Sequence, residues 1–213
     1  MKKAVIFDLD GTLIHSLPDI AAAMNRALKS HGLREHTEEA YKYMVGDGVI
    51  HLAQRAVGPF GALTDAVLDA YRADYALHCC ENTSVYPGVR ETLMELSRRG
   101  MPVCVFSNKD QSDVINVLNH YFPGFPFSAV RGRTEGTPIK PDPAGALKIA
   151  GKLGIAPGDF LYAGDTAADI RCARAAGMAA VGVLWGFRPR EELAAAGADY
   201  LIAAPGELLD LLG

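Results

Sequence analysis

Two aspartates separated by one leucine, Asp8 and Asp10, follow the apolar run Ala4-Val5-Ile6-Phe7 and precede Gly11 and Thr12. Adjacent carboxylates repel, so a chain that sets two of them at the end of a strand-like run needs a reason to do so. An Asp-Gly pair commonly makes a turn. A calcium loop would use Asp8, Asp10, Thr12 and Asp19, but it requires glycine where Leu13 stands and a helix where an apolar strand precedes. The third reading is a pair of catalytic carboxylates at the carboxyl-terminal edge of a parallel sheet, where open α/β folds place their ligand sites.

A second acidic pair supports the third reading. Phe160-Leu161-Tyr162-Ala163 is again strand-like, and Gly164, Asp165 and, four residues later, Asp169 follow it. Asp165 falls at the strand end and Asp169 one helical turn further on, so both can face one point. Two pairs of clustered carboxylates need a hard cation, and an all-oxygen ligand set suits Mg²⁺. Two other strand ends carry polar groups that could hold a phosphoryl group. Val103-Cys104-Val105-Phe106 ends in Ser107 and Asn108, although Ser107 could equally cap the next helix. Lys140 precedes a proline-opened helix, where it offers a fixed cation rather than an ordinary surface charge.

These residues need a scaffold that brings their strand ends together. Strand-like runs recur at 4–7, 102–106, 127–130, 160–163, 179–184 and 199–202, with helical patterns between most of them. That alternation predicts a Rossmann-like α/β core, a parallel sheet covered on both faces. The interval between the first two runs breaks the rhythm and reads as helices. Ser16-Leu17-Pro18-Asp19 has capping-box spacing, and Ile20, Met24, Ala27 and Leu28 form an apolar stripe that Gly32 would stop. Further helices are expected from Thr37, after Gly48 and after Thr64, and Val85–Val89 marks the return to the sheet. The expected organisation is a core of residues 1–15 and 85–213 with a helical insertion over 16–84.

Composition narrows the function classes. The 213 residues carry a net charge of -4, which argues against a nucleic-acid surface. No apolar run approaches the ~18 residues of a membrane span. The start Met1-Lys2-Lys3 resembles a signal peptide, but Asp8 interrupts the apolar stretch behind it. Cys79, Cys80, Cys104 and Cys172 form no CxxC pair. A reduced, cytoplasmic setting is expected, with neither nucleic acid nor membrane as partner.

As an ordered set, the motifs resemble the haloacid dehalogenase superfamily of phosphohydrolases: DLDGT at 8–12, Ser107, Lys140 in Lys-Pro-Asp-Pro, and GDTAAD at 164–169. The insertion resembles the helical cap of that family. PDIAAAMNRAL, MVGDGV and VYPGV resemble its phosphoglycolate phosphatase branch. The resemblance implies that Asp8 is the nucleophile and forms an aspartyl-phosphate. It implies that Asp10 protonates the leaving alcohol and then activates water. Mg²⁺ would be held by Asp8, the Asp10 backbone carbonyl and Asp165, with Asp169 binding directly or through water. Thr12, Ser107, Asn108 and Lys140 would hold the phosphoryl group of a small phosphorylated metabolite, in a monomer or homodimer. In the cap, Gly46, Asp47 and Gly48 would face the site, and Arg55 would meet a substrate carboxylate.

Two departures from that branch stand out. His15 occupies the hinge position where an acidic residue is common. Ile139 stands where a basic residue is common, and Arg131 or Arg133 could replace the missing charge. Within the superfamily, Asp10 argues against a dehalogenase, which needs no leaving-group acid. Lys29 and Lys42 lack the context of a Schiff-base lysine, which argues against a phosphonatase. A pyrophosphatase and a phosphosugar phosphatase or mutase stay open. Outside it, a signalling receiver would place its acceptor aspartate after a later strand and would lack the insertion.

Overall fold

The computed structural model describes all of residues 1–213. Along β1 (Ala4–Phe7) successive side chains alternate between two apolar clusters, Val5 and Phe7 in one, Ala4 and Ile6 in the other. Both faces of this strand are therefore buried, which is why it reads as an unbroken apolar run.

A short strand, β2 (Ile14–His15), follows. Four helices come next: α1 (Leu17–Ser30), α2 (Glu38–Met44), α3 (Val49–Val57) and α4 (Thr64–His78). The chain returns through β3 (Ser84–Val85), which pairs antiparallel with β2, His15 opposite Ser84. The two crossings between the helices and the sheet thus run side by side.

Beyond β3 the elements alternate as α5 (Val89–Arg98), β4 (Val103–Asp110), α6 (Gln111–Tyr121), β5 (Ala129–Arg133) and α7 (Ala144–Leu153). They end with β6 (Phe160–Gly164), α8 (Ala167–Ala175), β7 (Ala179–Val183), α9 (Arg190–Ala195) and β8 (Tyr200–Ile202). Six of the strands form one parallel sheet in the order β5-β4-β1-β6-β7-β8. This is a Rossmann-like α/β architecture, and the chain order reverses on either side of β1, beside which ligand sites of such sheets lie.

On one face, α5 and α6 pack through Leu93, Leu96, Val114 and Val117. On the other, α7, α8 and α9 pack through Ile149, Ile170 and Leu193. Full burial of side chains of this size is worth about 1.5–3 kcal/mol each. The first cluster continues without a break into the insertion, through Leu17, Met24, Tyr41, Leu52 and Tyr75.

Two local expectations need correction. The capping box at Ser16–Asp19 does not form, because both side chains have stronger partners elsewhere. The Ser16 hydroxyl donates to Asp10 at 2.5 Å. The buried Asp19 carboxylate accepts from the backbone N–H groups of Asn82 and Thr83, at 2.9 and 2.8 Å, and from the Thr83 hydroxyl at 2.7 Å. It fastens the start of α1 to the return crossing. Secondly, β4 runs past its apolar stretch to Asp110, with a register break between Phe106 and Asp110. Backbone pairing carries the strand on over the polar residues that the site uses.

Candidate active site

Asp8 is the first residue beyond β1, and its N–H donates to the Ala163 carbonyl of β6 at 2.9 Å. That bond ties the ends of two neighbouring strands together and sets Asp8 beside Asp165. The next residues turn sharply through Gly11, at φ +88°, where a Cβ would overlap the Asp165 carboxylate. Glycine is required there twice over, by the backbone angle and by the space.

Asp165 is the first residue beyond β6, and Asp169 lies in the first turn of α8, whose N-cap is Thr166. One Asp169 oxygen accepts from the Thr166 N–H at 3.1 Å and from its hydroxyl at 2.6 Å, closing a capping box. The other accepts from the Lys140 ammonium at 2.6 Å. Lys140 also reaches Asp8 at 2.6 Å and the Phe106 carbonyl at 3.2 Å. Carboxylate oxygens of Asp8, Asp165 and Asp169 lie within 4.8 Å of one another.

Three buried carboxylates around one buried ammonium form an under-neutralised site. Burial raises the Asp8 carboxyl to about 7; the charge of Asp169 adds to this and Lys140 opposes it. Asp165 is pushed well above the usual carboxylate range by burial, then by Asp8 and Asp169. For Lys140, burial would lower the pKa, but the charges of Asp169 and Asp8 outweigh it and hold the ammonium charged. A divalent cation would relieve this crowding, and the donor set, all carboxylate oxygen, fits a hard ion.

Asp10 points away from that cluster. Its carboxylate takes the Ser16 hydroxyl at 2.5 Å and the Lys109 ammonium at 3.0 and 3.1 Å. Lys109 also sits over the Tyr75 ring, 4.6 Å from its centroid. Burial would lower the Lys109 pKa, but Asp10 opposes this and holds it up. Lys109, Ser16 as a partner of Asp10, and Arg188 were not foreseen from the sequence as parts of the site. Lys109 follows Ser107-Asn108 directly, at a strand end already marked as chemical, so the signal was present. Arg188 lies in Trp185-Gly186-Phe187-Arg188-Pro189, a Gly-flanked aromatic and basic stretch after β7 at the same sheet edge.

Not every expected phosphoryl contact is placed for that task. Ser107 lines the cavity, and its hydroxyl oxygen accepts from the Lys109 N–H at 3.2 Å, which leaves its own proton free. The Thr12 hydroxyl is fully buried and donates to Asp165 at 3.3 Å, and the residue does not line the cavity. Asn108 lines it, but its amide is consumed as a clasp. Its Oδ1 accepts from the Lys140 N–H at 2.8 Å, and its Nδ2 donates to the Lys140 and Gly46 carbonyls at 3.1 and 2.9 Å.

The cavity, about 60 Å³, lies between these strand ends and the insertion. Ile20, Val45, Val49, Leu52 and Tyr71 give it apolar walls, and Gly46 and Gly48 approach from the loop before α3. Asp47 and Arg55 do not line it. They pair with each other at the surface, and Arg55 also donates to the Met44 carbonyl at 2.8 Å, so Arg55 is not presented to a ligand there. Arg188 clamps the end of α2 and the same loop to the core through the carbonyls of Lys42 and Val45. Near the cavity, Arg133 pairs with Asp110 at 2.7 Å, as does Arg72 of α4 at 3.2 Å. Arg131 stays outside the cavity, with its Nε buried and unpartnered. His15 lies in β2 between the rings of Tyr86 and Phe187, 5.7 and 6.1 Å away, and its Nδ1 has no partner.

Comparison with known proteins agrees with this geometry. A family model described as haloacid dehalogenase-like hydrolase matches residues 5–183. A phosphoglycolate phosphatase of Rhodospirillum rubrum is 36% identical over 222 residues, covering 100% of this chain and 92% of that protein. One of Pectobacterium atrosepticum is 32% identical, covering 99% of this chain and 92% of that protein. The crystal structure of a predicted phosphoglycolate phosphatase from Haemophilus somnus 129pt superposes with a TM-score of 0.92 at 30% identity, covering 100% of this chain and 98% of that one.

Proposed function

Because the chain belongs to the haloacid dehalogenase-like hydrolase family, we propose that it is a Mg²⁺-dependent phosphatase of small phosphate monoesters, working through an aspartyl-phosphate on Asp8. The observation that carries this reading is the convergence of Asp8, Asp165 and Asp169 around Lys140 at the sheet edge, with Asp10 held apart from them. Relatives named phosphoglycolate phosphatases make two-carbon phosphate esters the class to test first, and a cavity of about 60 Å³ agrees with a leaving group of a few heavy atoms.

Asp8, Asp165 and Asp169, with the Asp10 backbone carbonyl, would hold the ion. When bound, Mg²⁺ supplies positive charge that neutralises the carboxylates and the phosphoryl oxygens. Asp8 attacks phosphorus through a carboxylate oxygen, and the ester oxygen departs. Lys140 and Ser107 offer donors to the phosphoryl oxygens, and Lys140 at the same time orients Asp8. Asp10, turned toward the insertion, gives the leaving alcohol its proton. It then takes one from the water that hydrolyses the acyl-phosphate, which returns Asp8 as carboxylate and releases phosphate. Ser16 and Lys109 fix the direction of the Asp10 carboxylate. Helices α1 to α4 act as the cap, joined by β2 and β3, and exclude water from the site.

Turnover of p-nitrophenyl phosphate by chelator-treated protein, with and without added Mg²⁺, tests the reading together with Asp8→Asn. Activity is expected only with Mg²⁺, and none above background in the variant. Full activity without a divalent ion, or substantial turnover by Asp8→Asn, would overturn it.

A further inference from the structure

Four aspartates line the cavity, and three of them have a cation. Asp8 has Lys140, Asp10 has Lys109, and Asp110 has Arg72 and Arg133. The fourth, Asp113, has no ion pair and no hydrogen bond to its carboxylate. It stands in the first turn of α6, half-buried on the wall near Lys109. Burial raises its pKa, with the Lys109 charge acting against that rise. An acidic residue at the third position of a helix can reach back to the N-cap N–H, but no such capping box forms here, where Asp110 is the N-cap. Asp113 is therefore an unused acceptor facing the space that a leaving group would fill.

The cations on the same wall are already engaged. Lys109 faces Asp10 and Asp113, two carboxylates for one ammonium, and Arg55 lies outside the cavity. A substrate carboxylate placed there would add a third negative charge around Lys109, in an enclosed space where charges are weakly screened. A hydroxyl meets the opposite situation. It can donate to Asp113 and accept from Lys109 at once, whereas a carboxylate can only accept.

Resting on the phosphatase reading above, we propose that Asp113 and Lys109 recognise a hydroxyl on the leaving group, so that the enzyme prefers a small phosphorylated alcohol bearing a second hydroxyl to one bearing a carboxylate. Asp113 is then a specificity-determining residue, while the chemistry stays with Asp8 and Asp10.

Three esters of matched length separate the possibilities: 2-hydroxyethyl phosphate, 2-phosphoglycolate and 2-aminoethyl phosphate. Phosphate release is measured for wild type and Asp113→Asn with Mg²⁺, with p-nitrophenyl phosphate alongside. Ratios of kcat/KM within one sample do not depend on the folded fraction. The wild type is expected to favour the hydroxyethyl ester over phosphoglycolate by about tenfold or more, and Asp113→Asn to shrink that ratio by about tenfold as the repulsion is removed. Asp113→Leu, which removes the acceptor as well, should lower kcat/KM for the hydroxyethyl ester further. A wild-type preference for phosphoglycolate, a preference for the aminoethyl ester, or a ratio unchanged in Asp113→Asn would overturn the proposal. Failure of the phosphatase reading looks different: no ester, p-nitrophenyl phosphate included, releases phosphate.

Discussion

The two walls of the cavity are built from different parts of the polypeptide. On the sheet side the working groups are side chains, Asp8, Asp10, Lys109 and Lys140 at the cavity with Asp165 and Asp169 behind them, each held by another charged or polar side chain. On the helical side, the bonds that reach across from the core to the end of α2 and the loop before α3 end on main-chain carbonyls, those of Lys42, Val45 and Gly46. The side chains of that wall are mostly apolar. A charge on the sheet side has a fixed chemical identity. A carbonyl on the helical side is supplied by any residue that keeps the backbone path. Substitutions on the sheet side should therefore abolish chemistry, and those on the helical side should shift affinity and selectivity.

The strongest test of that contrast is Asp10→Asn. Turnover is expected to fall by about 10²–10⁴-fold, the usual worth of general acid–base catalysis, with Mg²⁺ affinity kept, since the backbone carbonyl survives. Calorimetric titration and rate measurement on one sample decide it. Lost metal affinity with turnover restored at saturation would put Asp10 with the metal cluster instead.

Gly48→Val comes next. Gly48 has φ +85°, and a Cβ would lie 3.3 Å from the Asn108 carbonyl oxygen, so a branched residue strains the backbone and pushes the loop outward. The expected result is about a tenfold loss of kcat/KM on a two-carbon phosphate ester, with a much smaller loss on p-nitrophenyl phosphate. An equal loss on both would remove the selecting role from this wall.

Arg188→Ala should act more mildly. It frees the carbonyls of Lys42 and Val45 without touching the chemical groups. KM should rise about threefold, in line with the net worth of a hydrogen bond, with kcat little changed. A large drop in kcat would show that the clamp also sets the sheet-side geometry.

The smallest catalytic effect, but a clear one on stability, is expected at the junction. Burial raises the Asp19 carboxyl, but the hydrogen bonds from Thr83 and Asn82 outweigh it and hold its pKa below the ordinary value. A depressed pKa stabilises the fold above the unfolded value of ~3.9, and the contribution is lost as pH falls through the folded value. Asp19→Asn should cost about 1–3 kcal/mol near neutral pH, and the difference from wild type should shrink as the pH drops below ~3.9. Urea unfolding at several pH values measures it.

These two walls were also unequally legible in the sequence. Sheet-side chemistry depends on residue type and on position at a strand end, and both leave a local pattern: Asp-Leu-Asp-Gly-Thr, Gly-Asp with a second Asp one helical turn on, and a lysine before a proline. The parallel core was legible for the same reason, since strands buried on both faces are unbroken apolar runs. Partnerships between distant residues were not. Ser16 and Asp19 have the spacing of a capping box, and only the fold brings Asp10 and Thr83 close enough to displace that local arrangement. Thr12 and Asn108 were assigned to the phosphoryl group by type, whereas Asp165, Lys140 and Gly46 take up their hydrogen bonds. Arg55 looked free because its partner Asp47 lies in the preceding loop, and its other bond goes to a main-chain carbonyl.

Asn108 holds Lys140 through both the N–H and the carbonyl of that residue, and holds the helical wall through Gly46 alone. Departure of that wall would cost Asn108 one bond and leave the other two in place. In the proposed phosphatase cycle, Lys140 would then keep its main-chain anchor while that wall is away, and its charged end would need no resetting before the next substrate.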